Sequence, residues 1–321
     1  KFVPKERDAE GKLVRVDYFK LKQSINPDKE WQKLEKEKIG IVTILDDNYP
    51  ELLRHIPDPP FALYLRGSQD VWQNDCFAVV GTRTLSEYGK RSTPHIVLDL
   101  ARAGFVIVSG LAAGIDALAH KVTLEAGAKT IAVLGCGVDD RTIFPPQNLK
   151  LAQKIIETGG AVLSEYPVEV HGTKFTFPQR NRIISGLSRG VLVVEGDETS
   201  GAIITAKCAL DQNRDVFAIP GSIFAATSRG TNSIIKKGAK LVTCADDILE
   251  EYGLESAKAK KVIKADSPEE EKILAVITSE SMTADDIIRK TKLEASQVNA
   301  TLMIMELGKK VKNLGNGKFV L

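Results

Sequence analysis

Between Cys76 and Val242 one pattern repeats: a short apolar run rich in Val and Ile, then a longer stretch whose apolar positions recur every three or four residues. The runs are Phe77 to Val80, Phe105 to Val108, Thr130 to Leu134, Ala161 to Ser164, Val191 to Val194, Asp215 to Ile219 and Lys240 to Val242. Runs this short and this uniformly apolar suit strands covered on both faces. The intervening stretches predict helices over 89–103, 114–126, 146–158, 179–188, 201–212, 230–237 and 245–252. Strands alternating with helices imply an α/β fold, a doubly wound parallel sheet of Rossmann-like type spanning roughly 75–250.

The flanks follow other rules. Residues 1–40 are dense in Lys and Glu, with a weak helical pattern from Pro27 to Lys38 that sets Trp31 and Leu34 on one face. Short strands are expected at Ile41 to Leu45 and Ala62 to Arg66, around a turn-rich stretch, forming a lead-in that packs onto the main domain. After Gly253 a Lys/Ala/Ser-rich connector leads to three helical segments, 268–279, 284–291 and 295–307, and a hairpin from Val311 to Leu321 turning at Gly315-Asn316-Gly317. Ser267-Pro268 followed by acids is a helix start, and Asn-Gly is a hairpin turn. Three helices and a wing make a winged-helix module. The organisation expected is a remnant of an N-terminal helical domain (1–45), a Rossmann-like domain (46–252), a linker (253–266) and a winged-helix domain (267–321).

Composition narrows the function classes little. Lys plus Arg total 44 against 42 acids, so only local clustering of charge can point to a polyanion. The four cysteines form no CxxC pair, which argues against a zinc ribbon or a disulfide framework and for a reducing, cytoplasmic setting. No apolar run is long enough to span a membrane. The first residue is Lys rather than Met, and the chain is expected to be a piece of a longer protein.

The local exception is KFTFPQRNR, Lys174 to Arg182, which places Lys174, Arg180 and Arg182 beside Phe175, Phe177 and Asn181, with no acid anywhere in 171–190. Cations grip phosphates and aromatic rings stack on bases, so this stretch is a candidate nucleic-acid contact, against the plainer alternative of a solvated loop with two anchoring rings. In doubly wound sheets ligands sit beyond the carboxyl ends of the strands. The loops there include Gly81-Thr82-Arg83, Ser109 to Gly114, Gly135-Cys136-Gly137, 165–179, Gly196 to Gly201 and Pro220-Gly221-Ser222. Small-residue loops of this kind can offer backbone N–H groups to a phosphate, although tight strand-to-helix turns need glycine as well.

Other patterns lead nowhere. Gly186 to Gly190 matches GxSxG, but a helix precedes it, a strand follows and no histidine comes after His171. The first strand is followed by Gly81-Thr82-Arg83-Thr84-Leu85-Ser86, not GxGxxG, which argues against NAD. Asp116 and His120 share a helix face without a third ligand, so capping and hydrogen bonding are expected there rather than a metal. Glu195 ends a central strand at the ligand rim, with its role open. In the winged module the third helix offers Gln297, Asn299 and Thr301 flanked by Glu294 and Glu306, with Lys309, Lys310 and Lys312 only afterwards. A protein-contact role is expected over base readout.

Taken together, GTR at 81–83, SGLAAGIDALAH at 109–120, LGCG at 134–137, FPPQN at 144–148, LSEYP at 163–167, FPQRNRIISGLS at 177–188, SGAIITAKCALDQNRDVFAIPG at 200–221 and GTNSIIKKGA at 230–239 resemble the DprA/Smf family of DNA-processing proteins. The resemblance covers 46–252 strongly, the C-terminal module moderately, and departs at the front, where residues 1–40 are too few for the family's helical domain. It implies a non-enzymatic mediator without metal or cofactor that binds single-stranded DNA, works as a homodimer through the Rossmann-like domain, and loads RecA recombinase in natural transformation. By position it implies phosphate contacts at Arg83 and Lys174, a backbone-phosphate loop at Ser109 and Gly110, and a base pocket at Phe177, Arg180, Asn181 and Arg182, with Gln179 also counted among the DNA-binding residues. Phe175 has no matched role and is expected in the core. The alternative is a nucleotide-processing phosphoribohydrolase with Glu195 as its acid, but the PGGxGTxxE signature of that group is missing.

Overall fold

The computed structural model describes residues 5–7, 13–15, 25–254, 265–277, 282–308, 310–315 and 317–320. Most of the expected linker, 255–264, lies outside the described residues, as do Asn316 and Leu321 of the expected hairpin. The chain divides into two compact units, Lys1–Ala257 and Lys258–Leu321.

In the first unit β1 (Lys5–Arg7) and β2 (Leu13–Arg15) pair antiparallel. The main sheet is built from β3 (Gly40–Thr43), β4 (Ala62–Gly67), β5 (Cys76–Val80), β6 (Val106–Ser109), β7 (Thr130–Leu134), β8 (Ala161–Ser164), β9 (Gly190–Val193), β10 (Asp215–Ala218) and β11 (Lys240–Leu241). Their order is β11-β10-β9-β5-β6-β7-β8-β4-β3. The seven strands from β5 to β11 pair parallel, whereas β3 and β4 add an antiparallel edge beyond β8. The lead-in thus extends the sheet itself, which begins at Gly40, inside the segment expected to be a remnant.

Period-two alternation sorts each strand's side chains between two helical layers. In β5, Cys76, Ala78 and Val80 pack with Ile183, Ile184, Ala202 and Ala206 of the helices Thr176–Gly186 and Gly201–Asp211. Phe77 and Val79 face the other way, onto Ile96, Leu100, Ile115 and Val122 of the helices Glu87–Arg102 and Ile115–Glu125. This double coverage is why the sequence runs read as continuously apolar. In the N-terminal helix Pro27–Glu37 only Leu34 is buried; Trp31 lies out in solvent, its indole N–H donating to Glu35.

Chain order reverses at β5: successive strands step outward through β6, β7 and β8, then β9 returns to the opposite flank of β5. The loops after β5 and β9 therefore diverge and leave a crevice between them, the switch point at which such sheets bind ligands.

The second unit folds around Ile273, Ile287, Val298, Leu302 and Met305, from the helices Pro268–Val276, Ala284–Thr291 and Ala295–Leu307, and Ile277 just after the first of them. Ser267 and Thr283 cap the first two by accepting from the N–H groups of Glu270 and Asp286. A three-stranded sheet completes it: β12 (Met282–Thr283) pairs with β14 (Lys318–Val320), which pairs with β13 (Lys312–Gly315). The strand β12 was not evident in the sequence pattern, being too short to show alternation.

Candidate nucleic-acid interface

A cleft of about 690 Å3 opens at the switch point, lined by Val80 to Arg83 at the end of β5, Asp197, Thr199 to Ala202 and Thr205 after β9, Phe144, Gly172 to Lys174 from the segment leading into the helix Thr176–Gly186, and Phe177, Pro178, Arg180 and Asn181 of that helix. That helix begins before the expected residue 179 because Pro178 sits in its first turn, where a missing N–H costs nothing. Thr173 fixes its entry: the Thr173 hydroxyl oxygen accepts from the N–H groups of Phe175 and Thr176, and the Thr173 N–H donates to Thr176 Oγ1.

The cleft's cations fall into two sets. Arg83 and Lys174 are exposed, and among the described residues neither has an acidic partner. The Arg83 guanidinium lies 5.8 Å from the centre of the Phe177 ring, and the Phe144 ring tilts against Phe177 at 5.6 Å between centroids. Phe144 is 48% exposed and gives the cleft a second aromatic surface. In the sequence Phe144 stands out only as part of FPPQN, and its place directly before two prolines is the signal that marks it. Phe177 can fold down into this position because residue 172 is glycine: a Cβ there would lie 2.5 Å from the ring.

Arg180 belongs to the other set. It is 5% exposed and donates from Nη1 to the carbonyls of Gly110 (2.8 Å) and Val133, with Nε donating to Asn181 Oδ1. Its guanidinium stacks so closely over Gly110 that a Cβ there would lie 2.6 Å from Nη2. Beneath it, burial pushes the Asp116 carboxyl up from its ordinary value, while the Arg180 charge and the N–H groups of Gly110, Ala112 and Gly81 pull it back. Arg182 is held by a two-pronged pair with Glu165 at 2.8 and 2.7 Å and by Asp58 at 3.0 Å. Asn181, buried at the cleft wall, donates to the Gly201 carbonyl at 3.2 Å, and Gln179, exposed, accepts from the Tyr166 hydroxyl at 2.9 Å.

Several expectations are corrected by this geometry. Ser109 is fully buried with its hydroxyl donating to the Val79 carbonyl, and the Gly110 N–H donates to Asp116 Oδ2, so neither offers a free donor to a phosphate. The N–H groups of Gly137, Gly196 and Gly221 are likewise engaged, with Val170, Thr227 and Asn232. These glycines permit close backbone approach instead. Phe175 is 68% exposed rather than core, because it precedes the helix whose inward face is Ile183 and Ile184; Lys174 Nζ lies 5.2 Å from its ring centre. Asp116 and His120, in contrast, hydrogen-bond as expected: Asp116 accepts from the Gly110 N–H, and His120 is buried with Nδ1 2.7 Å from Thr130 Oγ1, its pKa pushed down to about 3 by burial. The imidazole is therefore neutral and acts as a packing element.

A mostly parallel sheet with a switch-point cleft that sets unpartnered cations beside aromatic rings, together with a winged-helix unit, defines the class: a Rossmann-like protein carrying a winged-helix domain. The model of the family described as DNA recombination-mediator protein A matches residues 40–253, and that of the DprA winged helix domain matches 257–317. The chain belongs to the DNA recombination-mediator protein A family, also called DprA/Smf.

Relatives bear this out. The DNA processing protein DprA of Streptococcus pneumoniae is 45% identical over 218 residues, 68% of this chain and 76% of its own length. Protein Smf of Escherichia coli is 44% identical over 223 residues, 69% of this chain but only 59% of its own length. Among solved structures, the X-ray structure of DprA from Streptococcus pneumoniae superposes with a TM-score of 0.66 at 42% identity, covering 74% of this chain and 81% of that one. DNA processing protein A from Helicobacter pylori, described by its single-stranded DNA binding mode, superposes at 0.60 and 30% identity, covering 67% and 95%. Among the described residues no helix is long and apolar enough to cross a membrane.

Proposed function

We propose that this chain binds single-stranded DNA in the switch-point cleft and acts as a recombination mediator. The observation that carries this is the pairing, in one cleft, of two exposed cations lacking acidic partners with two partly exposed rings. Arg83 supplies a planar fork for one phosphate and Lys174 a mobile point charge for the next. Phe144 and Phe177 supply the stacking surface for a base turned out of the strand, with Gln179 at the rim. Arg180 and Asn181 line the cleft under that base, with Gly110 and the buried Ser109 packed behind Arg180, and Arg182 braces the helix rather than the DNA. A duplex keeps its bases paired and stacked, so a site that gains energy from a splayed base favours single strands.

In the cell this chain would load RecA recombinase onto incoming single strands during natural transformation and recombination, in the cytoplasm and as a homodimer through the Rossmann-like unit. The dimer gains support from exposed apolar side chains on that unit, Ile223, Phe224 (90% exposed) and Leu241. An anisotropy titration comparing a labelled oligothymidine with a duplex of equal length tests the cleft, with tighter single-strand binding expected; equal affinities would reject it. Filament nucleation by RecA on protein-coated single strands, scored with and without this protein, tests the mediator role. Release of free base from nucleoside monophosphates would instead favour a phosphoribohydrolase.

A further inference from the structure

Glu195 ends the central strand run and is almost wholly buried, yet among the described residues no cation pairs with it. Its Oε1 accepts from the Ser86 hydroxyl and, at 3.4 Å, from the Thr227 hydroxyl; its Oε2 accepts nothing among the described residues. A carboxylate in that position benefits from the start of the helix Glu87–Arg102, where Ser86 is the N-cap and accepts from the Gly89 N–H at 3.0 Å. The packing is built around it, since a Cβ at Gly89 would lie 2.2 Å from Oε2.

What Glu195 touches is informative. Ser86 closes the loop that carries Arg83, and the Glu195 carbonyl accepts from the Thr82 N–H of the same loop at 2.8 Å. Thr227 closes a different loop, Pro220 to Ser228, which presents Ile223 and Phe224 to solvent. The backbone makes a parallel tie, Gly196 N–H to the Thr227 carbonyl at 2.7 Å, and the Tyr88 hydroxyl donates to the Pro220 carbonyl at 2.8 Å. One carboxylate thus sits between the loop that carries Arg83 and the exposed apolar loop.

We infer that Glu195 is a positioning residue: it holds the Arg83 loop toward the cleft and couples it to the Ile223–Phe224 loop, so that filling the cleft orders the apolar loop. The coupling to DNA rests on the cleft function proposed above; the positioning role does not. Coupling is reciprocal, so a partner that clamps the apolar loop tightens the cleft by the same factor.

Hydrogen exchange on the full chain, free and with oligothymidine, tests this with Glu195→Ala, Glu195→Gln and Thr227→Val. In the free protein, Glu195→Ala speeds exchange roughly tenfold in both 81–88 and 221–229 while the sheet keeps its protection, and Glu195→Gln, which retains an accepting oxygen, recovers most of it. Thr227→Val, which keeps the shape without the hydroxyl, loosens 221–229 alone. Oligothymidine protects both segments in the unsubstituted protein and only 81–88 in Thr227→Val. The inference is overturned if Glu195→Ala leaves both segments unchanged, if loosening spreads evenly through the unit, or if DNA protects 221–229 fully in Thr227→Val. Should Glu195→Ala not fold, Ser86→Ala and Thr227→Val carry the same comparison. Absence of protection anywhere in the unsubstituted protein rejects the DNA function of the cleft, and the free-state comparison still decides the role of Glu195.

Discussion

Two surfaces of this protein have shapes that other proteins use on nucleic acids, and they are chemically opposite. The switch-point cleft exposes Arg83 and Lys174 beside Phe144 and Phe177. The third helix of the winged module, Ala295–Leu307, holds no Lys or Arg and exposes Met303, Ile304 and Leu307 along with Gln297 and Asn299. Phosphate binding dominates the affinity of most nucleic-acid interfaces and needs cations. A fold's reputation therefore says less than which of its side chains remain unpaired.

The largest effect should come from removing the cleft's free cations. Arg83→Ala combined with Lys174→Ala is expected to weaken oligothymidine binding roughly a hundredfold at low salt and to flatten the dependence on salt by about 0.7 per lost contact. Arg182→Ala, by contrast, should leave that slope unchanged and destabilise the fold, since it strands Glu165. Equal slopes for the two changes would erase the division between free and braced cations.

Acid separates the two units next. All four histidines lie in the Rossmann-like unit, and His120 has its pKa lowered to about 3 by burial, against an unfolded value near 6.5. A lowered pKa means the stabilisation is complete above about pH 6.5 and drains away at up to about 1.4 kcal/mol per pH unit as pH falls toward 3. Both tryptophans, Trp31 and Trp72, also lie in this unit, so their fluorescence reports it alone. Urea midpoints should fall between pH 6.5 and 4, and His120→Gln, though less stable at neutral pH, should show a shallower fall. Parallel curves would place the acid sensitivity elsewhere.

The aromatic pair sharpens the picture of the cleft itself. Phe144→Ala is expected to cost roughly tenfold in affinity with the salt slope intact, in line with the loss of one stacking surface. Phe177→Ala should lower the affinity and also the slope, because Arg83 rests over that ring. If Phe177→Ala left the slope untouched, the cation–π contact would not be positioning Arg83.

The sheet was legible in the sequence because burial on both faces writes continuous Val/Ile runs, and the first two C-terminal helices because caps and acids mark their starts. The charge pattern of Lys174 to Arg182 misled for a physical reason. No acid lies within 171–190, but the partners of Arg182 come from Asp58 and Glu165, and Arg180 is satisfied by the Gly110 and Val133 carbonyls. Neutralisation across the fold is invisible to a local window. The same limit explains Phe144, whose partner Phe177 is remote in sequence, and Phe175, whose ring falls just outside the helix that would have buried it.

The smallest effect belongs to the winged module, and it is the one that can break the contrast. Gln297 and Asn299 are the exposed amides of the third helix, the side chains that would read base edges if it entered a major groove. A well-made base contact of that kind is worth about 1–3 kcal/mol, so losing two would be plain in a titration. With no cation on the helix to bring it onto a backbone, and Glu294 and Glu306 at its ends, such contacts have nothing to support them. Gln297→Ala combined with Asn299→Ala should change affinity for single-stranded and duplex DNA by less than about twofold and leave the salt slope as it was. A tenfold loss confined to one duplex sequence would make this helix a reader after all, with the cleft and the winged module sharing the work of DNA recognition.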